Sequence, residues 1–195
     1  MSRFRFELAK ADDDQALRRV LAGTPMPGTV SVTFRREPSF FEAMAVDGPC
    51  RQVIVVRDRT TGQVVGLGCR SVRNRYVNGR ARPVGYLSSL RILEPYRNAL
   101  VLARGYAFLR HLHADGRAGL YLTTIAEGND RAIGLLTSRR AGLPSYHEAG
   151  KYYTLVVPLR RPRRRATEPD QTLAVRPMRV GDAESLVAFL GAVGP

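Results

Sequence analysis

The stretch 84-VGYLSSLRILEPYRNALVLARG-105 decides the fold. Its first half alternates like a strand. A short turn with Pro95, Tyr96 and Arg97 follows, and a helix starts at once. A strand that ends against a helix N-terminus offers unpaired backbone N–H groups and the positive end of a dipole, a natural seat for an anionic phosphate.

Upstream, Asn78-Gly79 marks a hairpin turn that delivers this strand, and Thr60-Thr61-Gly62-Gln63 marks another. They bracket strands at 52–58, with Val53, Ile54, Val55 and Val56, and at 64–73, with Val64, Val65, Leu67, Cys69 and Val72. At the N-terminus Phe4, Phe6 and Leu8 alternate with charged residues as a half-buried strand. Asp12, Asp13 and Asp14 suit a helix start, Leu17, Val20 and Leu21 form its apolar face, and Gly23 stops it. A short helix is expected at 39–46.

Downstream, a helix is expected at 99–114, with Leu102, Tyr106, Leu109 and His113 near one stripe and Asp115-Gly116 at its end. A strand follows at 120–125. A short helix then runs through Ile133, Leu135 and Leu136, and a closing strand spans 152–159. The order is β-α-α-β-β-β-α-β-α-β: a mixed α+β class, with a mostly antiparallel central sheet flanked by helices.

Composition narrows the function. Hydrophobic residues make up 44% and charged residues 25%, as in an ordinary globular protein. No run is apolar enough to span a membrane, and the N-terminus has no signal-peptide core, so a cytoplasmic protein is expected. The net charge of +14 invites a nucleic-acid partner, but Lys10 and Lys151 are the only lysines and the arginines are scattered. That argues against nucleic acid. The one dense cluster, Arg160, Arg161, Arg163, Arg164 and Arg165 around Pro162, reads as a solvated linker. Cys50 and Cys69 read as reduced thiols, Cys69 in the core. His111 and His113 are two apart on a helix and make a poor metal pair, so no metal site is expected. Tyr152 and Tyr153 read as sheet packing.

The segment Tyr86 to Ile92 followed by Glu94-Pro95-Tyr96-Arg97 resembles the fourth strand and pyrophosphate loop of the GNAT superfamily of acyl-CoA-dependent N-acetyltransferases. Tyr121 to Ile125, followed by Asn129, Ala132, Leu135 and Leu136, resembles that family's fifth strand, asparagine and fourth helix. The resemblance covers residues 4–159. It implies acetyl transfer from acetyl-CoA, as co-substrate, to an amine that attacks the thioester directly. It further implies that the fourth and fifth strands splay around the pantetheine arm. Backbone groups of Leu90, Arg91 and Ile92 would bond the arm and polarise the thioester carbonyl. The loop and helix start, from Arg97, Asn98, Ala99, Leu100, Val101 and Leu102, would seat the pyrophosphate, and Asn129 would contact pantetheine. Asn129 is equally readable as a helix cap.

Two departures stand out. The loop has no glycine, and Leu100 and Leu102 are positioned to crowd the phosphates. Leu136 falls where the family has a thiolate-facing tyrosine, with Tyr146 the alternative acid. Ser89 stands where a carboxylate base is often found, leaving Glu42 and Glu127 as base candidates. A catalytically silent acyl-CoA sensor is therefore the competing reading.

After the linker at 160–171, residues 172–195 repeat the opening strand, turn, acidic cap and apolar helix, with Asp14 matching Asp182. This reads as the start of an incomplete second GNAT-like domain. Val175, Leu186, Val187, Phe189 and Leu190 form its apolar face, for which a second copy of the chain, in a homodimer, is a candidate partner.

Overall fold

Strand formation follows the alternation and the turns. In the computed structural model, which describes residues 2–26, 34–140, 142–153, 174 and 176–193, five strands form one sheet: β1 (Phe4–Leu8), β2 (Cys50–Asp58), β3 (Val64–Val77), β4 (Arg80–Ile92) and β5 (Tyr121–Leu122). They lie in sequence order, antiparallel up to β4, with β5 parallel to β4. The β3–β4 hairpin turns on Asn78 and Gly79, both at positive φ (51° and 72°), as a two-residue hairpin loop requires. The parallel β4–β5 pair is joined by a crossover through helix α3 (Ala99–His113).

Helix α1 (Asp14–Ala22) buries Leu17, Val20 and Leu21 as its spacing predicts. Together with Phe40 and Met44 these cover Val53, Val55, Leu67 and Cys69 on one face of the sheet. The expected second helix is α2 (Phe40–Ala43), continued by a 3-10 turn at Met44–Asp47. Asp14 ties the two helices together: its Oδ2 accepts from Ser39 Oγ at 2.9 Å and Phe40 N at 2.7 Å. The opposite face packs Val56 and Val65 against Val101 of α3, with Phe4, Phe6 and Ile92 alongside. Cys69 is core, as expected, and burial pushes its thiol up to about 12.

Two expectations need correction. The 120–125 strand shrinks to Tyr121–Leu122, because Thr123 onward leaves β4. Residues 154–159 of the closing strand lie outside the described residues. Tyr152 and Tyr153 stand in no strand and are exposed, so they do not pack a sheet. No helix among the described residues is long and apolar enough to cross a membrane.

The chain divides into two compact units, Met1–Ala149 and Gly150–Pro195. In the second, a 3-10 turn at Val180–Asp182 leads into α5 (Ala183–Val193). Asp182 Oδ2 accepts from Arg179 N at 2.7 Å, as Asp13 Oδ2 accepts from Lys10 N at 2.9 Å in the first unit. The matching residue is therefore Asp13, one position before the expected Asp14, because the capping carboxylate must be the third residue of the 3-10 turn. Leu186, Val187, Phe189 and Leu190 are exposed; Val175 and the linker lie outside the described residues.

Candidate active site

The parallel strands β4 and β5 pair at only two positions, Gly85 with Tyr121 and Tyr86 with Leu122. Gly85 N–H donates to Leu120 O at 2.9 Å, and the Tyr86 and Thr124 hydroxyls meet at 2.6 Å. Beyond that the chains diverge, and residues 87–92 face residues 123–126 across an apolar cleft. Each lip therefore carries backbone groups with no strand opposite.

The short β5 is held by side chains. A Cβ on Gly85 would lie 2.3 Å from Tyr121 Cδ1, so the tyrosine ring rests directly on the glycine. The Tyr121 hydroxyl accepts from Arg70 Nε at 2.8 Å. Arg70 is fully buried and also grips Asp115 through both terminal nitrogens at 2.8 Å, with Gln52 as a further acceptor. Arg70 thereby holds the Asp115 carboxyl down at about 2. This clasp joins β3, the end of α3 and β5.

The lip of β4 is reshaped by a bulge. Leu67 pairs with Arg91 and Cys69 with Ser88, so β4 spends one residue more than β3. Ser89 takes up the excess at φ 54°. An extra residue reverses which N–H groups face which neighbour. Before the bulge Gly85 N–H points to β5; after it Leu93 N–H donates back to Val65 O at 2.9 Å. By strand alternation, the N–H groups of Ile92 and Leu90 point into the cleft.

The strand then passes a 3-10 turn at Glu94–Tyr96 and enters α3. Arg97 Nε donates to Ile92 O at 2.9 Å. Asn98 caps the helix, its Oδ1 accepting from Val101 N at 2.9 Å. Three of the N–H groups expected to hold phosphate are thus already bonded, since those of Arg97 and Leu102 donate to Glu94 O at 3.1 Å and Asn98 O at 3.4 Å; those of Ala99 and Leu100 have no intrahelical partner. Leu100 is 76% exposed and is not among the residues that line the cleft. Val101 and Leu102 are buried and line it, as do Leu90, Arg91 and Ile92.

On the far wall Asn129 and Leu136 line the cleft, and Asn129 Oδ1 also caps helix α4 (Asp130–Leu136) from Ala132 N at 3.3 Å. The helix-cap reading of Asn129 is therefore correct. Leu136 occupies the position the resemblance gives a tyrosine. Tyr146 is not a lining residue, but its hydroxyl lies 2.7 Å from that of Tyr106, which is. Burial and that hydrogen bond push the Tyr106 phenol above its ordinary range. Sequence reasoning took Tyr106 for an apolar-stripe residue; its signal is a hydroxyl on a helix face otherwise made of leucines. Ser89 lines the cleft, whereas Glu42 and Glu127 do not. Among the described residues, Arg91 is the only charged side chain that lines the cleft.

Solved acetyltransferases share this architecture. An acetyltransferase from Trypanosoma brucei superposes with a TM-score of 0.53 at 16% identity, over 78% of this chain and 99% of its own. Glucosamine-6-phosphate N-acetyltransferase from Arabidopsis thaliana gives 0.53 at 13%, over 78% and 100%. The fold is that of the GNAT N-acetyltransferases. AAC(6')-Iy, solved with a CoA-based bisubstrate analogue, gives 0.54 at 15%, over 80% of this chain and 100% of its own. At these identities the likeness is one of fold. No protein-family model and no curated protein sequence matches the chain. Within the GNAT fold, the β4–β5 splay, the bulge and the α3 N-terminus converge on one cleft in the first unit.

Proposed function

We propose that the first unit is an N-acetyltransferase that moves an acetyl group from acetyl-CoA to an amine. The observation that carries this reading is the splay: two lips of unpartnered backbone around an apolar cleft, with the bulge turning Leu90 and Ile92 N–H inward. An arm with amide groups fits such lips, much as an added strand fits a sheet edge. Thr123 Oγ1 is buried on the opposite lip without a hydrogen-bond partner, which a polar group of the arm would supply.

Acetyl-CoA supplies the acetyl group as a thioester. The inward N–H groups would polarise its carbonyl. The Ala99 and Leu100 N–H groups, with Arg97, would seat the pyrophosphate. In the transfer a C–N bond replaces the C–S bond, one proton leaves the amine and one reaches the sulfur. Among the described residues no carboxylate lines the cleft, and the amine would lose its proton to water. Tyr106, backed by Tyr146, donates to the sulfur. Calorimetry with acetyl-CoA tests the reading: no binding at millimolar concentration would sink it.

The competing reading, a silent acyl-CoA sensor, is favoured by the Asn98 cap on Val101 and by Leu136. Binding without thiol release across a broad amine panel would select it.

The tail is proposed as the opening of a second domain of this kind. Counted from the equivalent carboxylates, Leu17, Val20 and Leu21 of α1 fall at the same spacings from Asp13 as Leu186, Phe189 and Leu190 of α5 from Asp182. Deleting residues 166–195 is expected to leave acetyl-CoA affinity unchanged; lost affinity would assign the tail to the first unit's site.

A further inference from the structure

Among the described residues, three buried side-chain polar atoms have no hydrogen-bond partner: Arg36 Nη1, Arg91 Nε and Thr123 Oγ1. Buried donors are almost always satisfied, so orphans that gather at one place call for an explanation. Arg91 and Thr123 both line the cleft, and the Arg36 guanidinium bears electrostatically on Cys69, which also lines it.

Arg91 is the informative one. It pairs in register with Leu67, so its side chain lies on the sheet face that α1 and α2 cover. Its one hydrogen bond runs from Nη1 to Leu90 O at 2.8 Å. Among the described residues it has no carboxylate partner. Burial, and secondarily the nearby Arg97, lower its pKa. Arg36 is paired with Asp47 at 3.0 Å, which leaves Arg91 uncompensated. A part-buried cation without a counter-ion, next to another cation, is costly until an anion arrives.

Two anions could arrive: a phosphate of the coenzyme, or an acid group on the acceptor. The face separates them. Val101 at the start of α3 packs with Val56 and Val65 on the opposite face of the sheet. By its register with Leu67 the Arg91 side chain instead lies on the face of Leu67 and Cys69, which also line the cleft, next to the Leu90 N–H that the proposed function aims at the reacting carbonyl. We propose that the acceptor amine also carries a carboxylate or phosphate, bound by the Arg91 guanidinium. This rests on the acetyltransferase reading. It narrows the substrate class to amino acids, amino-sugar phosphates and similar zwitterions, and it disfavours polycations.

The test uses the full chain saturated with coenzyme A. Inorganic phosphate, titrated by calorimetry, is expected to bind. Arg91→Gln should weaken it by about tenfold or more, and Arg91→Lys should retain part of it, as expected for a charge-assisted contact. Phosphate binding that vanishes once coenzyme A is bound would give Arg91 to the coenzyme and overturn the inference. So would phosphate binding equal in wild type and Arg91→Gln, or none at tens of millimolar. In thiol-release assays, glucosamine 6-phosphate should outpace glucosamine, and an amino acid its amide, with Arg91→Gln removing the difference. A preference for aminoglycosides would also overturn the inference while sparing the acetyltransferase reading. Failure of coenzyme A itself to bind would remove that reading instead.

Discussion

Replacing Gly85 by Ala should damage both stability and cofactor binding. The new Cβ would meet Tyr121 Cδ1 at 2.3 Å and Cε1 at 2.4 Å, where 3.4 Å is the start of ordinary contact. The ring must withdraw by about 1.1 Å, the difference between 3.4 and 2.3 Å. Overpacking of this kind costs about 1–3 kcal/mol. A withdrawal of that size also breaks the 2.8 Å bond from Arg70 Nε to the Tyr121 hydroxyl. Arg70 is fully buried and cannot replace that partner with water, so the loss adds about 1.5–3 kcal/mol. The expected total is about 2.5–6 kcal/mol, a large part of the roughly 5–15 kcal/mol available to a domain. At a urea slope of about 2 kcal/mol/M the midpoint would fall by about 2 M. Acetyl-CoA affinity should drop as well, because β5 forms one lip of the cleft. Gly119→Ala is the control, since a Cβ there meets nothing within 4 Å. A double-mutant cycle isolates the contact: in a Tyr121→Ala background, Gly85→Ala should cost under about 1 kcal/mol. An unchanged urea midpoint for Gly85→Ala, or equal costs in both backgrounds, would refute the reasoning.

Arg97→Ala should raise the acetyl-CoA dissociation constant by about tenfold or more, while fragments lacking the diphosphate are unaffected; equal losses for both would assign Arg97 to the fold, through its bond to Ile92 O. Tyr106→Phe should cut kcat by about 100-fold with little change in acetyl-CoA affinity, and an unchanged kcat would hand the sulfur's proton to water. Because the Tyr106 phenol is pushed up, it stays protonated through the alkaline range, so kcat/KM should rise with pH to the acceptor's own pKa with no falling limb from this group. The Asp115 carboxyl is held at about 2, mainly by hydrogen bonds from Arg70. Its contribution to stability is therefore present above the ordinary carboxylate pKa of about 3.9 and is lost as pH falls toward 2; a urea midpoint flat across that window would contradict the clasp.

The parts of the fold that were legible are those set by neighbours in sequence. The Asn78-Gly79 turn, the Leu17, Val20 and Leu21 face and the helix stop at Gly23 each depend on a few adjacent residues, and each was read correctly. The length of β5 was not legible. Leu120 to Ile125 has a strand-like composition whether or not a partner lies beside it, and only Tyr121 and Leu122 find one. The bulge on β4 follows the end of that pairing, and there Ser89 adopts a positive φ without a glycine to announce it.

The site was legible where it is backbone and hidden where it is side chain. Leu90 and Ile92 were named for their N–H groups, and the bond from Leu93 to Val65 fixes their direction independently of any resemblance. Arg70 sits in the apolar run GLGCRSV, where a charge signals a buried partner, but the partner, Asp115, is 45 residues away. The glycine-free loop shows the same division. Leu100 appeared to block the phosphates because sequence gives residue size and not direction; on the helix it is 76% exposed and is not among the residues that line the cleft. The obstacle that does exist is small and polar. Asn98 Oδ1 holds the Val101 N–H, a cap worth about 1 kcal/mol. A pyrophosphate that needs this donor must displace the asparagine, whereas one that uses only Ala99, Leu100 and Arg97 need not. The Asn98 cap, and not the absence of glycine, is therefore what lowers the number of free N–H donors at the helix start, and in the proposed function Arg97 is the charge that would make up the difference.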